Sequence, residues 1–299
     1  MKYLILHNPL AGHGTHEVQL KRITDMYGDN AEVKDITKID SYESLISSLD
    51  ADDVIVLCGG DGTINRFVND TIGITVANDI LYFPLGTGND FLRDIEVSPD
   101  TDPFSIKKYI QKLPEVEVKG KKYRFLNNVG FGIDGYCCEV GDQIKLKSTK
   151  PVNYTAIAIK GLLFKFAPVN ATVVVDGQTY TYKKVWIAPT MNGRFYGGGM
   201  MAAPTQDRLN SERELTLVIF NPKGRIKTLS IFPSIFKGEH INKANSTKLI
   251  KGKDIYVKFD RPTALQIDGE TIRDVTEYRA VSSVIVNSTA AEQEATVNA

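Results

Sequence analysis

Three short glycine-rich segments carry side chains suited to holding phosphate groups. They occupy residues 8–14, 59–65 and 85–90, and each follows an apolar run that predicts a buried β-strand. Glycine lets backbone N–H groups approach an anion closely, and a helix that follows adds partial positive charge at its N-terminus. One such segment is typical of an ordinary tight turn, but three in succession favour a phosphate-binding site.

Carboxylates accompany these glycines. Asp61 lies in the second segment and Asp90 ends the third. An acidic group beside bound phosphates is repulsive unless a cation intervenes, so the sequence predicts Mg²⁺ there. A further acid, Glu270, follows Asp268-Gly269, a pair that by itself predicts a hairpin turn. None of the three segments has the Gly-Lys-Ser/Thr of a Walker A motif or the Gly-x-Gly-x-x-Gly of a dinucleotide fold.

The elements that must position these residues change in type along the chain. Apolar runs at residues 2–7, 33–36, 54–58 and 80–84 predict strands, with helical spacing at 16–26, 42–49 and from 65 to 69. Strands alternating with helices predict a parallel sheet with helices on both faces. Ligands of such sheets bind beyond the carboxyl ends of the strands, where the glycine-rich segments lie.

After residue 116 the pattern becomes rich in short β segments. It predicts strands at 123–127, 171–175, 179–187, 215–220, 254–259, 264–267 and 282–286, and therefore a mostly antiparallel second domain. We expect an α/β domain over residues 1–117, a β-rich domain over 118–286 and a polar C-terminal tail over 287–299. The length of 299 residues suits two domains that each bury a core.

Composition limits the partners and the compartment. Lys and Arg number 36, as do Asp and Glu, so there is no broad positive charge for nucleic acid and none is expected as a partner. Three cysteines cannot build a disulfide framework, which fits a reducing compartment. The N-terminal apolar run is too short for a signal peptide, and we expect a cytoplasmic protein.

Four motifs in order carry a family resemblance. They are Gly-Gly-Asp-Gly-Thr at 59–63 with Asn65, Pro-Leu-Gly-Thr-Gly-Asn-Asp-Phe at 84–91, Asn-Gly-Arg-Phe-Tyr-Gly-Gly-Gly-Met at 192–200, and Asp-Gly-Glu at 268–270. Together they resemble the diacylglycerol kinase catalytic family, which includes sphingosine kinases and bacterial soluble diacylglycerol kinases. Gly-Gly-Asp-Gly alone also occurs in NAD kinases and phosphofructokinases, whereas the second motif favours the lipid kinases.

The resemblance implies an ATP- and Mg²⁺-dependent lipid kinase, most simply one that converts diacylglycerol to phosphatidate. It implies an N-terminal open parallel α/β domain, a C-terminal mostly antiparallel β-sandwich and an active site in the cleft between them. Glu270 would be the general base, with Asp61 and Asp90 organising metal and water. The implied nucleotide contacts are Asn8, Gly12, Thr37, Gly60, Asp61, Gly62, Thr63, Ile64, Asn65 and Thr87.

One segment departs from the family pattern. The usual Asp-Asp-Gly after the Gly-Gly-Gly-Met motif is missing, and residues 204–215 form a slightly longer stretch. In bacterial soluble members that Asp binds a second, structural Mg²⁺. Glu212 is the candidate replacement ligand and Asp207 an alternative, but Arg213 stands where glycine is expected and disfavours a cation.

A kinase acting on a bilayer lipid must reach the membrane surface. Residues 154–166 and 223–236 combine apolar side chains with Lys and Arg, as a transient peripheral membrane contact requires. Helices packed against a sheet give the same pattern, so this interpretation has an ordinary alternative.

Several alternatives stay open at this stage. The acceptor could instead be a sphingoid base, phosphatidylglycerol or a polyprenol, because the glycine-rich motifs concern nucleotide and metal rather than acceptor. A kinase acting on NAD is a second hypothesis, and a non-catalytic regulator that binds lipid or nucleotide is a third. The oligomeric state is undetermined, with a homodimer among the options.

Overall fold

The computed structural model describes residues 1–9, 16–85, 89–147 and 152–283. The chain divides into two compact units, Met1–Lys112 and Leu113–Ala299. Gly12, Thr87 and the tail predicted over 287–299 lie outside the described residues.

Within its described residues, the first unit alternates strands and helices in the predicted order. Its strands are β1 (Tyr3–His7), β2 (Ala31–Asp35), β3 (Val54–Gly59), β4 (Asp79–Pro84) and β5 (Phe104–Ser105); its helices are α1 (His16–Tyr27), α2 (Tyr42–Ser47), α3 (Asp61–Asp70), α4 (Asp90–Asp94) and α5 (Lys107–Ile110). Short 3₁₀ turns occupy Gly28–Asn30 and Ile36–Lys38.

The strands form one sheet in the order β2-β1-β3-β4-β5. The first four run parallel, and the short edge strand β5 is antiparallel to β4. The predicted parallel α/β architecture is confirmed. The four parallel strands therefore end at the same edge of the sheet, which brings the segments that follow them together.

The central position of β3 in the sheet explains why its sequence is continuously apolar. Val56 and Cys58 pack with Ile5 of β1 and Ile23 of α1 in one cluster. Ile55, on the alternate face of β3, is equally buried. A strand covered on both faces has no solvent-facing positions, so an unbroken hydrophobic run suits it.

Within its described residues, the second unit is mostly β-structure. Its strands are β6 (Glu115–Val118), β7 (Lys121–Arg124), β8 (Asn128–Phe131), β9 (Val169–Val175), β10 (Gln178–Val185), β11 (Thr190–Met191), β12 (Phe195–Tyr196), β13 (Met200–Met201), β14 (Leu215–Phe220), β15 (Thr247–Gly252), β16 (Asp254–Ile267) and β17 (Glu270–Val281). Its helices are α6 (Ile133–Lys145), α7 (Tyr154–Lys160) and α8 (Arg225–Ile231), with a π-helical turn at Gly161–Lys165 and 3₁₀ turns at Phe232–Lys237 and Glu239–Asn242.

The main sheet of this unit runs β15-β14-β11-β8-β16-β17-β6-β7, with β9 and β10 attached through β16. The strand pairs in this sheet are antiparallel, and the predicted antiparallel β-sandwich is confirmed. Strand β14 is buried on both faces: Leu217 joins one hydrophobic cluster with Phe131, and Phe220 joins a second with Trp186. The second cluster also contains residues of α6, α7 and α8.

The structure corrects several predicted boundaries. Helix α3 begins at Asp61, four residues before the predicted Asn65, because Gly60 takes the extended N-cap conformation. The segments predicted at 254–259 and 264–267 are one strand, β16, with a shift of register between Lys258 and Thr263. The segment predicted at 123–127 is β7, which ends at Arg124.

The prediction of a strand over 282–286 is wrong at its described residues. Strand β17 ends at Val281, and Ser282 and Ser283 are outside it; the remaining residues are not described. The β17 sequence was missed because it contains many charged residues. Its inward side chains, including Val275, Tyr278 and Ala280, are nevertheless buried.

The junction of β8, α6 and β16 contains a buried acid. Asp134 lies in the first turn of α6, and a Cβ built on Gly130 would lie 1.9 Å from its Oδ2 and 2.5 Å from Gln266 Nε2. Glycine is therefore required at position 130. Burial raises the pKa of Asp134 from its ordinary 3.8 to about 6.

This raised pKa predicts a pH-dependent cost in stability. The folded state holds the Asp134 proton more tightly, so stability falls as pH rises from about 4 to about 6 and stays reduced above that range. We expect Asp134→Asn to increase the free energy of unfolding by about 2–3 kcal/mol near pH 7 and to lose this benefit below about pH 4. Urea unfolding of both proteins between about pH 4 and pH 7 measures this difference in the free energy of unfolding. The exposed Asp40→Asn is the control, and an equal gain at all pH values would contradict the prediction.

Candidate active site

The first and second glycine-rich segments meet where β1 and β3 end. Asn8 Nδ2 donates to Thr63 Oγ1 at 3.2 Å, and the Asn8 backbone N–H donates to the Cys58 carbonyl at 3.1 Å. A Cβ on Gly59 would lie 1.9 Å from Thr63 Oγ1. Glycine at 59 is thus what allows Thr63 to face Asn8.

The N-terminus of α3 is suited to binding an anion. Gly60 is its N-cap, and no side chain caps this end of the helix. The first N–H groups of a helix lack partners within the helix, and its dipole favours negative charge at this end. The structure thus places Gly60, Asp61 and Gly62 where a phosphate group would be stabilised.

Asp61 connects the second and third glycine-rich segments. Its Oδ2 accepts a hydrogen bond from the backbone N–H of Phe91 at 3.1 Å, in the first turn of α4. Asp90, the neighbour of Phe91, is buried and its Oδ1 accepts from Arg93 at 3.2 Å. The two predicted acids therefore lie at the same edge of the sheet.

The other predicted nucleotide contacts differ in which of their atoms could meet a ligand. Thr37 follows β2, and its N–H and hydroxyl both donate to Asp35 Oδ1, which lowers the pKa of Asp35 to about 2. Ile64 is fully buried in the core, so only its backbone can meet a ligand. Asn65 is also buried and its carbonyl accepts from Asn69 at 2.9 Å.

In the second unit, the predicted turn is a tight hairpin between β16 and β17. Ile267 pairs with Glu270, leaving Asp268 and Gly269 as a two-residue turn with φ angles of 46° and 95°. Positive φ at both positions is the conformation for which Asp-Gly is preferred. Glu270 is exposed on this hairpin, as a group that must meet a substrate should be.

Asp268 anchors the hairpin to the first residue of β8 and the two residues before it. Its carboxylate accepts from three backbone N–H groups: Leu126, Asn127 at 2.7 Å and Asn128 at 3.0 Å. Hydrogen bonds to an ionised acceptor are stronger than those between neutral groups. Sequence reasoning missed residues 126–128, because nothing local indicates that a turn so far along the chain holds them.

Two further residues hold the same segment. Asn192, the first residue of the third family motif, donates from Nδ2 to the Leu126 carbonyl at 2.8 Å. The buried Arg208 donates to the same carbonyl at 3.3 Å and to Asn127 Oδ1 at 2.9 Å. Arg208 was not predicted as a site residue.

Helix α6, which the sequence reading also missed, lies along the hairpin. Thr271, beside Glu270, donates from Oγ1 to Asp142 Oδ2 at 2.8 Å. Arg273 forms an ion pair with Glu139 at 3.3 Å. These contacts fix the start of β17 against α6 and so limit where Glu270 can move.

Glu212, the predicted ligand of the second, structural metal ion, pairs with a lysine. Glu212 is 68% exposed and pairs with Lys253 Nζ at 3.0 Å. Among the described residues, the group of three His, Cys, Asp or Glu side chains close enough to share an ion is Asp50, Asp52 and Asp53. No helix in the described part of the chain is long and apolar enough to cross a membrane.

Comparisons with known proteins find a separate match for each of the two units. Residues 2–117 match the family model described as the diacylglycerol kinase catalytic domain. Residues 127–287, more than half of the chain, match the YegS C-terminal NAD kinase beta sandwich-like domain. The two models together define a kinase that phosphorylates an alcohol group.

Individual proteins are also similar in sequence or in fold. A diacylglycerol kinase of Mycobacterium tuberculosis is 24% identical over 269 residues, covering 86% of this chain and 85% of its own. A diacylglycerol kinase structure from Bacillus anthracis has a TM-score of 0.59 at 18% identity, with 94% of each chain covered. Yeast NADH kinase shares the fold with a TM-score of 0.50 at 14% identity, covering 94% of this chain and 78% of its own. The chain belongs to the diacylglycerol kinase family of lipid kinases.

The hydrogen bonds that Asp268 accepts can be tested by substitution. Asp268→Asn replaces one acceptor oxygen by an NH₂ group that faces backbone donors, so we expect about 3 kcal/mol less stability and a lower kcat. Chemical unfolding and steady-state kinetics measure both.

Asp176→Asn is the matched control for this change. Asp176 and Gly177 form another hairpin turn with positive φ, and the Asp176 carboxylate also accepts backbone N–H groups, those of Lys253 and Asp254, but at an exposed position. We expect a smaller loss of stability and unchanged kcat. Equal kcat losses in both variants would contradict a specific role for Asp268.

Proposed function

We propose that this lipid kinase transfers the γ-phosphoryl group of Mg²⁺-bound ATP to the free hydroxyl of diacylglycerol, giving phosphatidate. The observation that carries the proposal is the presentation of Glu270. The exposed Glu270 carboxylate directly follows a two-residue turn, and the Asp268 side chain of that turn accepts three backbone N–H groups. This arrangement suits a general base that must meet a hydroxyl without losing its position.

The first unit supplies the nucleotide contacts in this proposal. The N-terminus of α3 faces the phosphates, and Asn8 with Thr63 lies beside it. Asp61 and Asp90 offer carboxylate oxygens at the same strand ends. Mg²⁺ commonly binds through one or two carboxylates plus substrate phosphates, so the residues fit this ion, which would neutralise charge on the phosphates.

The chemical step needs few protein groups. The Glu270 carboxylate accepts the proton of the acceptor hydroxyl while the oxygen of that hydroxyl forms a bond to the γ-phosphorus. The bond from that phosphorus to the bridging oxygen of ADP breaks, and ADP leaves with the electron pair. Positioning and charge neutralisation supply most of the catalysis in phosphoryl transfer, so a held carboxylate completes the set.

The proposal includes a transient contact with an anionic bilayer through a docking surface, which we define as residues 152–166 and 223–238. α8 packs against the π-helical turn, and Arg225 donates to the Leu162 carbonyl at 2.5 Å. The surface exposes the apolar side chains of Phe164 (75%) and Ile226 (87%).

Charge on the docking surface favours an anionic partner. Its two stretches carry six cations and no Asp or Glu, although the whole chain has no net charge. Five of these cations are exposed lysines, at positions 160, 165, 223, 227 and 237. Lysines near exposed apolar side chains are attracted by anionic headgroups while the apolar groups enter the interface.

The test of function is transfer of label from γ-labelled ATP into an organic-extractable product. Mixed micelles of diacylglycerol, sphingosine, phosphatidylglycerol and polyprenol are offered separately, with NAD in an aqueous reaction. We expect label with diacylglycerol. Label with a different lipid would replace the proposed acceptor, label only with NAD would overturn lipid kinase activity, and ATP binding without transfer would favour a regulator.

Glu270→Gln is the variant for this assay. It keeps the size of the side chain and removes the base, so kcat should fall by about 10³-fold while ATP affinity is retained. The exposed Glu239→Gln is the control. Unchanged turnover in Glu270→Gln would remove this residue from the role of base.

The docking surface makes its own prediction. Phe164→Ser combined with Ile226→Ser removes the two most exposed apolar groups of this surface, so vesicle affinity should fall by about 10²-fold. Co-sedimentation with vesicles containing anionic phospholipid measures the change.

Val18→Ser combined with Ile72→Ser, which alters exposed apolar residues of the first unit, is the control. Binding that survives the change at Phe164 and Ile226, or that is equal on zwitterionic vesicles, would contradict the proposed docking surface.

A further inference from the structure

The loop between β13 and β14 is organised by a buried arginine. Arg208 is only 6% exposed, and its guanidinium donates to the Leu126 carbonyl at 3.3 Å and to Asn127 Oδ1 at 2.9 Å. A guanidinium out of solvent must be surrounded by acceptors, since it has five N–H donors and a permanent charge. Its position is therefore specified by the fold.

Three carbonyl oxygens of this loop accept hydrogen bonds from side chains of the same loop. The Arg208 carbonyl accepts from Arg213 Nη1 at 3.4 Å. The Glu214 carbonyl accepts from Gln206 at 2.9 Å and Asn210 at 3.0 Å, and the Asp207 carbonyl accepts from Asn210 at 2.6 Å. Carbonyl oxygens of this kind are what Mg²⁺ or Ca²⁺ would need as ligands.

The two candidate carboxylate ligands of the loop, Glu212 and Asp207, have other partners. Glu212 is exposed and paired with Lys253, and Asp207 Oδ1 accepts from the Leu209 backbone N–H at 2.9 Å. The loop also contains two arginines, Arg208 and Arg213, and Arg213 donates to the Arg208 backbone carbonyl. The residues present therefore do not fit the structural Mg²⁺ that the family resemblance implies.

We infer that this loop holds no divalent ion, and that its buried cation, the Arg208 guanidinium, instead holds the segment 126–128 in place. Arg208 binds this segment through the Leu126 carbonyl and the Asn127 side chain, while Asp268 binds its backbone N–H groups. Arg208 is thus a positioning residue for the Glu270 hairpin, and this last step rests on the proposed function.

Thermal unfolding tests the cation requirement without using activity. Nucleotide-free protein is melted in millimolar Mg²⁺, millimolar Ca²⁺ or EDTA at matched ionic strength. We expect the same Tm in all three. Asp52→Asn, which breaks up the acidic group of the first unit, is measured in parallel so that weak binding there is recognised. A rise in Tm with Mg²⁺ that persists in Asp52→Asn and disappears in Glu212→Gln would overturn the inference.

Two substitutions at Arg208 test its positioning role. Arg208→Met should speed hydrogen exchange at the amides of residues 126–128 and lower kcat by about 10²-fold with the KM for ATP unchanged. Arg208→Lys retains the charge but not the forked geometry, and should restore part of both. The exposed Arg279→Met, which removes an ion pair with Asp254, is the control.

The outcomes separate this inference from the proposed function. If no acceptor is phosphorylated, the melts and the exchange rates still test whether Arg208 holds the segment. Unchanged exchange at residues 126–128 in a folded Arg208→Met protein would overturn the positioning role. A loss of kcat equal to that of Arg279→Met would overturn it as well.

Discussion

The carboxylate of Asp268 accepts hydrogen bonds from three consecutive backbone N–H groups, and the position of the hairpin that carries Glu270 depends on this contact. An ionised acceptor with several donors is held more firmly than any single neutral hydrogen bond could hold it. The contact joins a hairpin near the end of the domain to the first residue of β8 and the two residues before it. Glu270 therefore takes its position from residues more than a hundred positions earlier in the chain.

The first unit uses the same physical principle on a smaller scale. Asp61 begins α3 and accepts the backbone N–H of Phe91 in α4, so one carboxylate links two of the strand-end segments. Parallel strands supply the rest, because β1, β3 and β4 all end at one edge. The sheet thus brings together side chains that are far apart in sequence, and the hydrogen bonds from Asn8 to Thr63 and from Phe91 to Asp61 connect them.

The loop between β13 and β14 differs from the family pattern in its residues. Arg213 has a φ of 56°, a left-handed conformation that favours glycine, at the position where the family pattern has glycine. A non-glycine residue adopts this conformation at a cost of about 1 kcal/mol. The two carboxylates that could serve as metal ligands have other partners: Glu212 pairs with Lys253, and Asp207 accepts from the Leu209 backbone N–H.

The sequence by itself determined the class of each domain and named most of the candidate site residues. Apolar runs ended by turn residues, Asn8-Pro9 for β1 and glycines for β3 and β4, placed these strands, and the Asp-Gly pair at 268–269 placed the hairpin turn, because these signals are local. Only the tertiary structure decided that Asp268 holds residues 126–128, that α6 packs along the hairpin and that Arg208 is buried. Those contacts join distant parts of the chain, and neither periodicity nor turn preference carries information about which distant backbone groups a charged side chain will meet.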